Sequence, residues 1–159
     1  MKNSLLMLLV ALELVIPAGG GQLELKEESK EELLRHKTVW YEAVEEVNQE
    51  AAYIAKTVWG EARGCSVEEQ EKVIWCILNR VDSELPYFPD DIIGVITQPN
   101  QFHGYSPDYP VTSEHYELAL DVLKRWNAEK RGEESNRNLP PEYVYFHGDG
   151  KHNYFRVEF

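Results

Sequence analysis

Glu61 stands between two glycines in the run Val58-Trp59-Gly60-Glu61-Ala62-Arg63-Gly64, a setting suited to proton transfer. Upstream, Ala51, Ala55, Val58 and Ala62 recur at three- and four-residue spacing, the pattern of a helix with one buried face. Gly60 and Gly64 interrupt it, since glycine favours helix ends and close backbone approach. Glu61 is therefore expected at a helix terminus, beside Trp59 and Tyr53 and half out of water. Desolvation favours the neutral form of a carboxyl, and a neutral carboxyl near neutral pH is a general acid.

The elements that must hold Glu61 are legible from period and punctuation. Trp40, Val44, Val47, Ala51, Ile54 and Val58 alternate spacings of four and three, predicting one helix from about Ser29 to Trp59. Ser29-Lys30-Glu31-Glu32 reads as its capping box. A second capping box, Ser66-Val67-Glu68-Glu69, starts a helix to Val81, with Val67, Ile74, Ile77, Leu78 and Val81 facing inward. Asp90 is the expected cap of a short helix carrying Ile92, Ile93, Val95 and Ile96. Residues 98–110 form an irregular loop rich in aromatics and amides, and loops of that length more often carry function. Thr112 or Ser113 caps a last helix with Tyr116, Ala119, Leu120, Leu123 and Trp126 inward, stopping near Gly132. The period then changes to two. Residues 143–147 and 152–156 alternate as strands around Gly148-Asp149-Gly150-Lys151, whose Asp-Gly pair signals a hairpin turn. The fold class is α+β, mostly helical with a C-terminal β-hairpin.

Composition excludes several functions. At 159 residues with a net charge of −12 and a pI near 4.8, the chain lacks the basic stripe that nucleic acid requires. It has no glycine-rich phosphate loop either. Lys2, the apolar run from Leu5 to Ile16 and the small residues Pro17-Ala18-Gly19-Gly20 have the form of a signal peptide over residues 1–20. The apolar run is too short for an ordinary membrane span. Residues 21–45 then form an acidic helical extension, and residues 46–159 the domain. Cys65 and Cys76 are expected to be free thiols. A helix rising ~1.5 Å per residue holds their Cα atoms roughly 15 Å apart, beyond the ~7 Å a disulfide can bridge. No zinc site is expected, and His147 and His152 lack a third ligand.

Four segments occur in order: Gly60-Glu61-Ala62-Arg63-Gly64; Ile77-Leu78-Asn79-Arg80-Val81; Val95-Ile96-Thr97-Gln98-Pro99 with Gln101-Phe102; and Gly150-Lys151-His152 with Phe155. Together they resemble the SleB-type cell wall hydrolases, the spore cortex-lytic enzyme family, over roughly residues 46–159. The resemblance implies a lysozyme-like fold; the N-terminal segment leads to an expectation of secretion or the cell envelope, and with no ligand cluster in the sequence neither a cofactor nor a metal is expected. The resemblance also implies cleavage of the bond between N-acetylmuramic acid and N-acetylglucosamine in peptidoglycan glycan strands. Glu61 falls on the family's catalytic acid. Cys65 stands where the family commonly has a second glutamate.

With one motif carboxylate, the implied reaction is that of a lytic transglycosylase, in which the muramic acid 6-hydroxyl attacks and a 1,6-anhydro ring forms. A water-using glycosidase needs a second carboxylate at ~5–9.5 Å, for which Asp90, Asp91, Asp108 and Asp149 are available. Asp90 reads better as a cap and Asp149 as a turn residue. A wall-binding module without turnover is the remaining alternative, and oligomeric state is left open. The candidate substrate-binding residues are Asn79, Arg80, Gln98, Phe102, Tyr105 and His152. Asn79 and Arg80 position substrate or Glu61, or else cap their own helix. Gln98 suits an N-acetyl group. Phe102 reads more as a loop anchor and Tyr105 more as a sugar platform. His152 packs or lines the groove.

Overall fold

The computed structural model describes residues 30–158. The expected signal segment and the Ser29 cap lie outside them. A compact unit extends from Thr38 onward. It contains the part of α1 (Lys30–Ala62) that follows Thr38, and α2 (Val67–Val81), α3 (Ile92–Thr97), α4 (Ser113–Lys130), β1 (Tyr145–Gly148) and β2 (Asn153–Arg156). The protein is mostly helical with one antiparallel hairpin at its end, as its periodicity predicts. Among the described residues no helix is long and apolar enough to cross a membrane.

The core is built around α2. Val73 to Leu78 are all fully buried, six consecutive residues that leave no solvent face over that stretch. Ala51, Ile54, Ala55 and Val58 of α1, Val95 of α3, and Ala119 and Val122 of α4 are equally buried. The single inner face expected for α2 is therefore too narrow, and Val67 at its start is exposed instead. Its cap matches expectation: the Glu69 N–H donates to Ser66 Oγ at 3.3 Å.

Two helix boundaries differ from the sequence reading. α1 does not stop at Gly60 but continues to Ala62. Gly60 is there for proximity: a Cβ on it would lie 1.5 Å from the Gly104 carbonyl oxygen. The cap of α3 is Asp91 rather than Asp90, because Asp91 takes the extended conformation and its Oδ1 accepts from the Gly94 N–H at 2.7 Å. On α4, Thr112 caps as expected, and Gly132 beyond the C-cap has φ +81°, the left-handed conformation that lets the chain leave the helix. His115 and Val122 join its buried face, whereas Tyr116 and Leu120 are only partly covered.

The hairpin pairs Tyr145 with Arg156, Phe146 with Phe155, His147 with Tyr154 and Gly148 with Asn153. Phe146 and Phe155 pack at 5.5 Å, and Phe146 meets Phe102 at 6.0 Å. β1 begins two residues later than expected, and α2 supplies the reason. Asn79 Nδ2 donates to the carbonyls of Pro140 at 2.8 Å and Tyr143 at 2.9 Å, and Arg80 Nε donates to that of Val144 at 2.7 Å. Those carbonyls are held by side chains where a ladder would otherwise hold them. Gly150 at the turn has φ +88°, and Asp149 Oδ1 accepts from the N–H groups of Lys151 and His152. Both cysteines are free, and burial pushes the Cys76 thiol up to about 12.

Asn79 is almost fully buried and also accepts from Arg137. An Asn79→Ala variant leaves the Tyr143 carbonyl without its donor and removes one partner each from the Pro140 carbonyl and the Arg137 guanidinium, which keep the Tyr143 N–H and Glu129. We expect it to lower unfolding free energy by about 2–4 kcal/mol, read as a shifted midpoint in urea titration.

Candidate active site

Glu61 arrives on the last turn of α1, partly buried. The Gly60–Gly104 contact lets the loop after α3 lie directly against that turn, so the Gly104 N–H donates to Glu61 Oε1 at 2.7 Å. A Cβ on Gly104 would meet Gly60 C at 2.7 Å and Glu61 Cδ at 2.8 Å. One carboxyl oxygen is thus fixed by a backbone donor, and Oε2 has no protein hydrogen bond among the described residues. A carboxyl held this way is oriented yet free to transfer a proton from its other oxygen.

Glu61 lines a cleft of about 270 Å³, together with Gly60, Ala62, Arg63, Gly64 and Cys65 on one side. Gly148, Gly150, Lys151, His152 and Asn153 of the hairpin form the other side. The two walls are tied together. Asn153 Nδ2 donates to the Glu61 carbonyl at 3.4 Å, and Cys65 Sγ donates to the Lys151 carbonyl at 3.5 Å.

Glu69 secures this junction. It accepts from the Asn153 N–H at 2.7 Å and contacts His152 Nδ1 at 3.2 Å. In a capping box its carboxylate would reach back to the helix start; here it holds the hairpin instead. The Asn153 N–H draws the Glu69 carboxyl below its ordinary pKa; partial burial opposes this, and His152 adds to it. The Cys65 thiol is pushed up by burial and by the charge of Glu69, so it is a neutral packing group rather than a nucleophile.

Of the residues nominated from sequence, Glu61 and His152 meet in the cleft, His152 exposed on its rim. The others lie elsewhere. Asn79 and Arg80 are buried under the hairpin approach, where neither can reach a ligand in the cleft. Arg80 NH1 also donates to Gln101 Oε1, and its guanidinium lies 4.7 Å from the Phe102 ring centre. Burial pulls its pKa down from the usual arginine value. Phe102 belongs to the core. Gln98 donates to the Tyr87 carbonyl at 2.6 Å. Tyr105 stacks on Tyr53 at 5.7 Å, and its hydroxyl pKa is raised by burial and by Tyr53. Gly104, Glu69, Asn153, Arg63 and Lys151 were not among the site residues expected from sequence, although Arg63 and Lys151 stand in two of the motif segments and Glu69 in the capping box.

Among protein families, a model described as Cell Wall Hydrolase matches residues 64–157. Glu61 lies just before that interval. The spore cortex-lytic enzyme of Bacillus subtilis (strain 168) is 34% identical over 84 residues, covering 50% of this chain and 27% of the relative. The spore cortex-lytic enzyme of Oceanobacillus iheyensis is 36% identical over 77 residues, covering 46% of this chain and 27% of the relative. The chain thus spans about a quarter of the length of these curated relatives. No solved structure matches it.

Two outcomes follow from this geometry. A Gly104→Ala variant has no room for its Cβ against Gly60 C and Glu61 Cδ, so it displaces the loop and its donor from Glu61; the expected outcome is a lowered thermal midpoint, read by thermal melts against wild type. Glu69 has a depressed pKa in the fold, so its stabilisation is present above the unfolded value and lost as pH falls through the folded one. The thermal-stability advantage of wild type over Glu69→Gln should therefore narrow below about pH 4, as measured by thermal melts across pH.

Proposed function

The chain belongs to the cell wall hydrolase family, and from that premise we propose that it cleaves the N-acetylmuramic acid to N-acetylglucosamine bond of peptidoglycan as a lytic transglycosylase. The observation that carries this reading is the single oriented carboxyl in the cleft, Glu61, held on one oxygen by Gly104. Protonated Glu61 gives its proton to the glycosidic oxygen as the bond from that oxygen to C1 of the muramic acid breaks. The resulting carboxylate takes the proton of the same sugar's 6-hydroxyl while O6 bonds to C1. Glu61 ends protonated again, and no water is consumed. The ring-borne hydroxyl has the advantage of proximity over an external nucleophile.

The state of the neighbouring acids supports the one-carboxylate route. Glu69 and Asp149 both bond to residues of the hairpin wall, and each is engaged by backbone N–H donors. Those donors hold both below their ordinary pKa, which leaves them weak bases for activating water. Action on peptidoglycan also places the protein at the wall, outside the membrane, with residues 1–20 as its export signal and residues 46–159 as the catalytic domain.

Glu61→Gln keeps the side-chain shape and the Gly104 contact but cannot transfer a proton. We expect it to fold and to lose at least about 10²–10⁴ in rate. Mass spectrometry of wild-type digests should find fragments ending in 1,6-anhydromuramic acid, one water lighter than reducing-end products. Reducing-end products alone would establish a water-using glycosidase, and a folded protein that binds wall without releasing fragments would be a binding module.

A further inference from the structure

Resting on the peptidoglycan reading, we propose that Arg63 and Lys151 make the cleft selective for an aminosugar whose substituent ends in a free carboxylate beside the scissile bond. Both side chains are exposed, and both line the same cleft as Glu61, one on each wall. Arg63 lies over the Trp59 ring at 5.7 Å and donates to the Trp59 carbonyl at 3.1 Å. Those contacts fix the guanidinium without neutralising it. Neither cation has a carboxylate within ion-pair distance among the described residues.

Two charged acids, Glu69 and Asp149, stand behind the hairpin wall and are turned to other partners than these cations. Glu69 faces the Asn153 N–H and His152, and Asp149 faces the Lys151 and His152 N–H groups and the Tyr154 hydroxyl. Neither lines the cleft. Glu61 is the one carboxylate in the lining, and in the acid form that starts the reaction it is neutral. At that stage the lining presents the positive charges of Arg63 and Lys151 and no negative one. On a chain of net charge −12, an anionic wall is repelled at long range. Two cations flanking Glu61 give it a local site of attraction, at a range shorter than the screening length. The arginine fork suits a carboxylate in particular.

Two sources offer that group: the lactyl ether of the muramic acid itself, or the carboxylates of an attached peptide stem. The test compares three glycan strands from purified peptidoglycan. One is stripped of stems by an amidase and so carries free lactyl carboxylates. The second is the stripped strand with its carboxylates converted to methylamides. The third keeps its stems. Wild type should show kcat/KM at least about threefold higher on the stripped strand, the stem-bearing strand or both than on the methylamide, a size in keeping with two solvent-exposed ion pairs. A faster stripped strand assigns the lactyl group, and a faster stem-bearing strand assigns the stem. The preference over the methylamide should fall towards one in an Arg63→Gln/Lys151→Gln variant, and also for wild type in about 1 M salt, where screening is short-ranged. Equal rates on all three strands would overturn the proposal. So would a preference that survives both the double substitution and high salt. Failure to cut any strand would instead remove the peptidoglycan reading beneath it.

Discussion

A two-stranded hairpin of four-residue strands cannot hold itself in water, yet one wall of the cleft is made of such a hairpin. Everything about the site therefore depends on what grips it from outside, and that grip comes from α2. At its C-terminal end, Asn79 and Arg80 take the carbonyls of Pro140, Tyr143 and Val144. At its N-terminal end, Glu69 takes the Asn153 N–H. Between these clamps, Phe146 and Phe155 lie against the core. The most deeply buried helix of the protein thus holds the hairpin at its entry and at its tip side. Neither Asn79 nor Arg80 has a buried side-chain nitrogen or oxygen without a hydrogen-bond partner, as buried groups require.

The opposite wall is set by sterics. Gly60 and Gly104 approach so closely that neither position has room for a Cβ. That contact brings a loop amide within hydrogen-bonding distance of the Glu61 carboxyl. Arg80 links the two sides, since its guanidinium reaches Gln101 in that loop and Val144 before the hairpin. The aromatic rings of Phe88 and Phe102 flank it at 5.1 Å and 4.7 Å. A displacement of either wall is therefore felt at this one buried cation, which suits the coupling of an acid to the surface that presents its substrate.

Much of this fold was readable because it rests on local rules. Ser66 and Thr112 cap where their types and spacing say they should, the Asp-Gly turn closes the hairpin, and the apolar stripe of α1 runs into the core. The interval between Cys65 and Cys76 foretold two free thiols. The misreadings share one cause, which is long-range partnership. Asn79 at a helix end looks the same whether it caps its own helix or takes carbonyls 61 and 64 residues away. Glu69 sits at the right offset for a capping box and serves a strand 84 residues on. Gly60 was expected to end a helix, and its actual constraint is a second glycine far along the chain. Asp91 displaced Asp90 for a smaller reason: two adjacent aspartates offer the same cap, and backbone conformation selects between them.

The group that orients Glu61 belongs to the main chain. Side-chain replacement elsewhere in the 98–110 loop cannot delete it; only a proline at Gly104 or a shift of the loop's path would. The loop's side chains are thus insulated from the acid's geometry, provided that Gly104 stays against Gly60. Under the proposed reaction, such a site can accumulate changes in its binding surface without passing through inactive intermediates. A carboxyl oriented by a neighbouring side chain would be exposed to loss at every substitution of that neighbour. Robustness of the chemistry and freedom to vary the binding surface then come from the same pair of glycines.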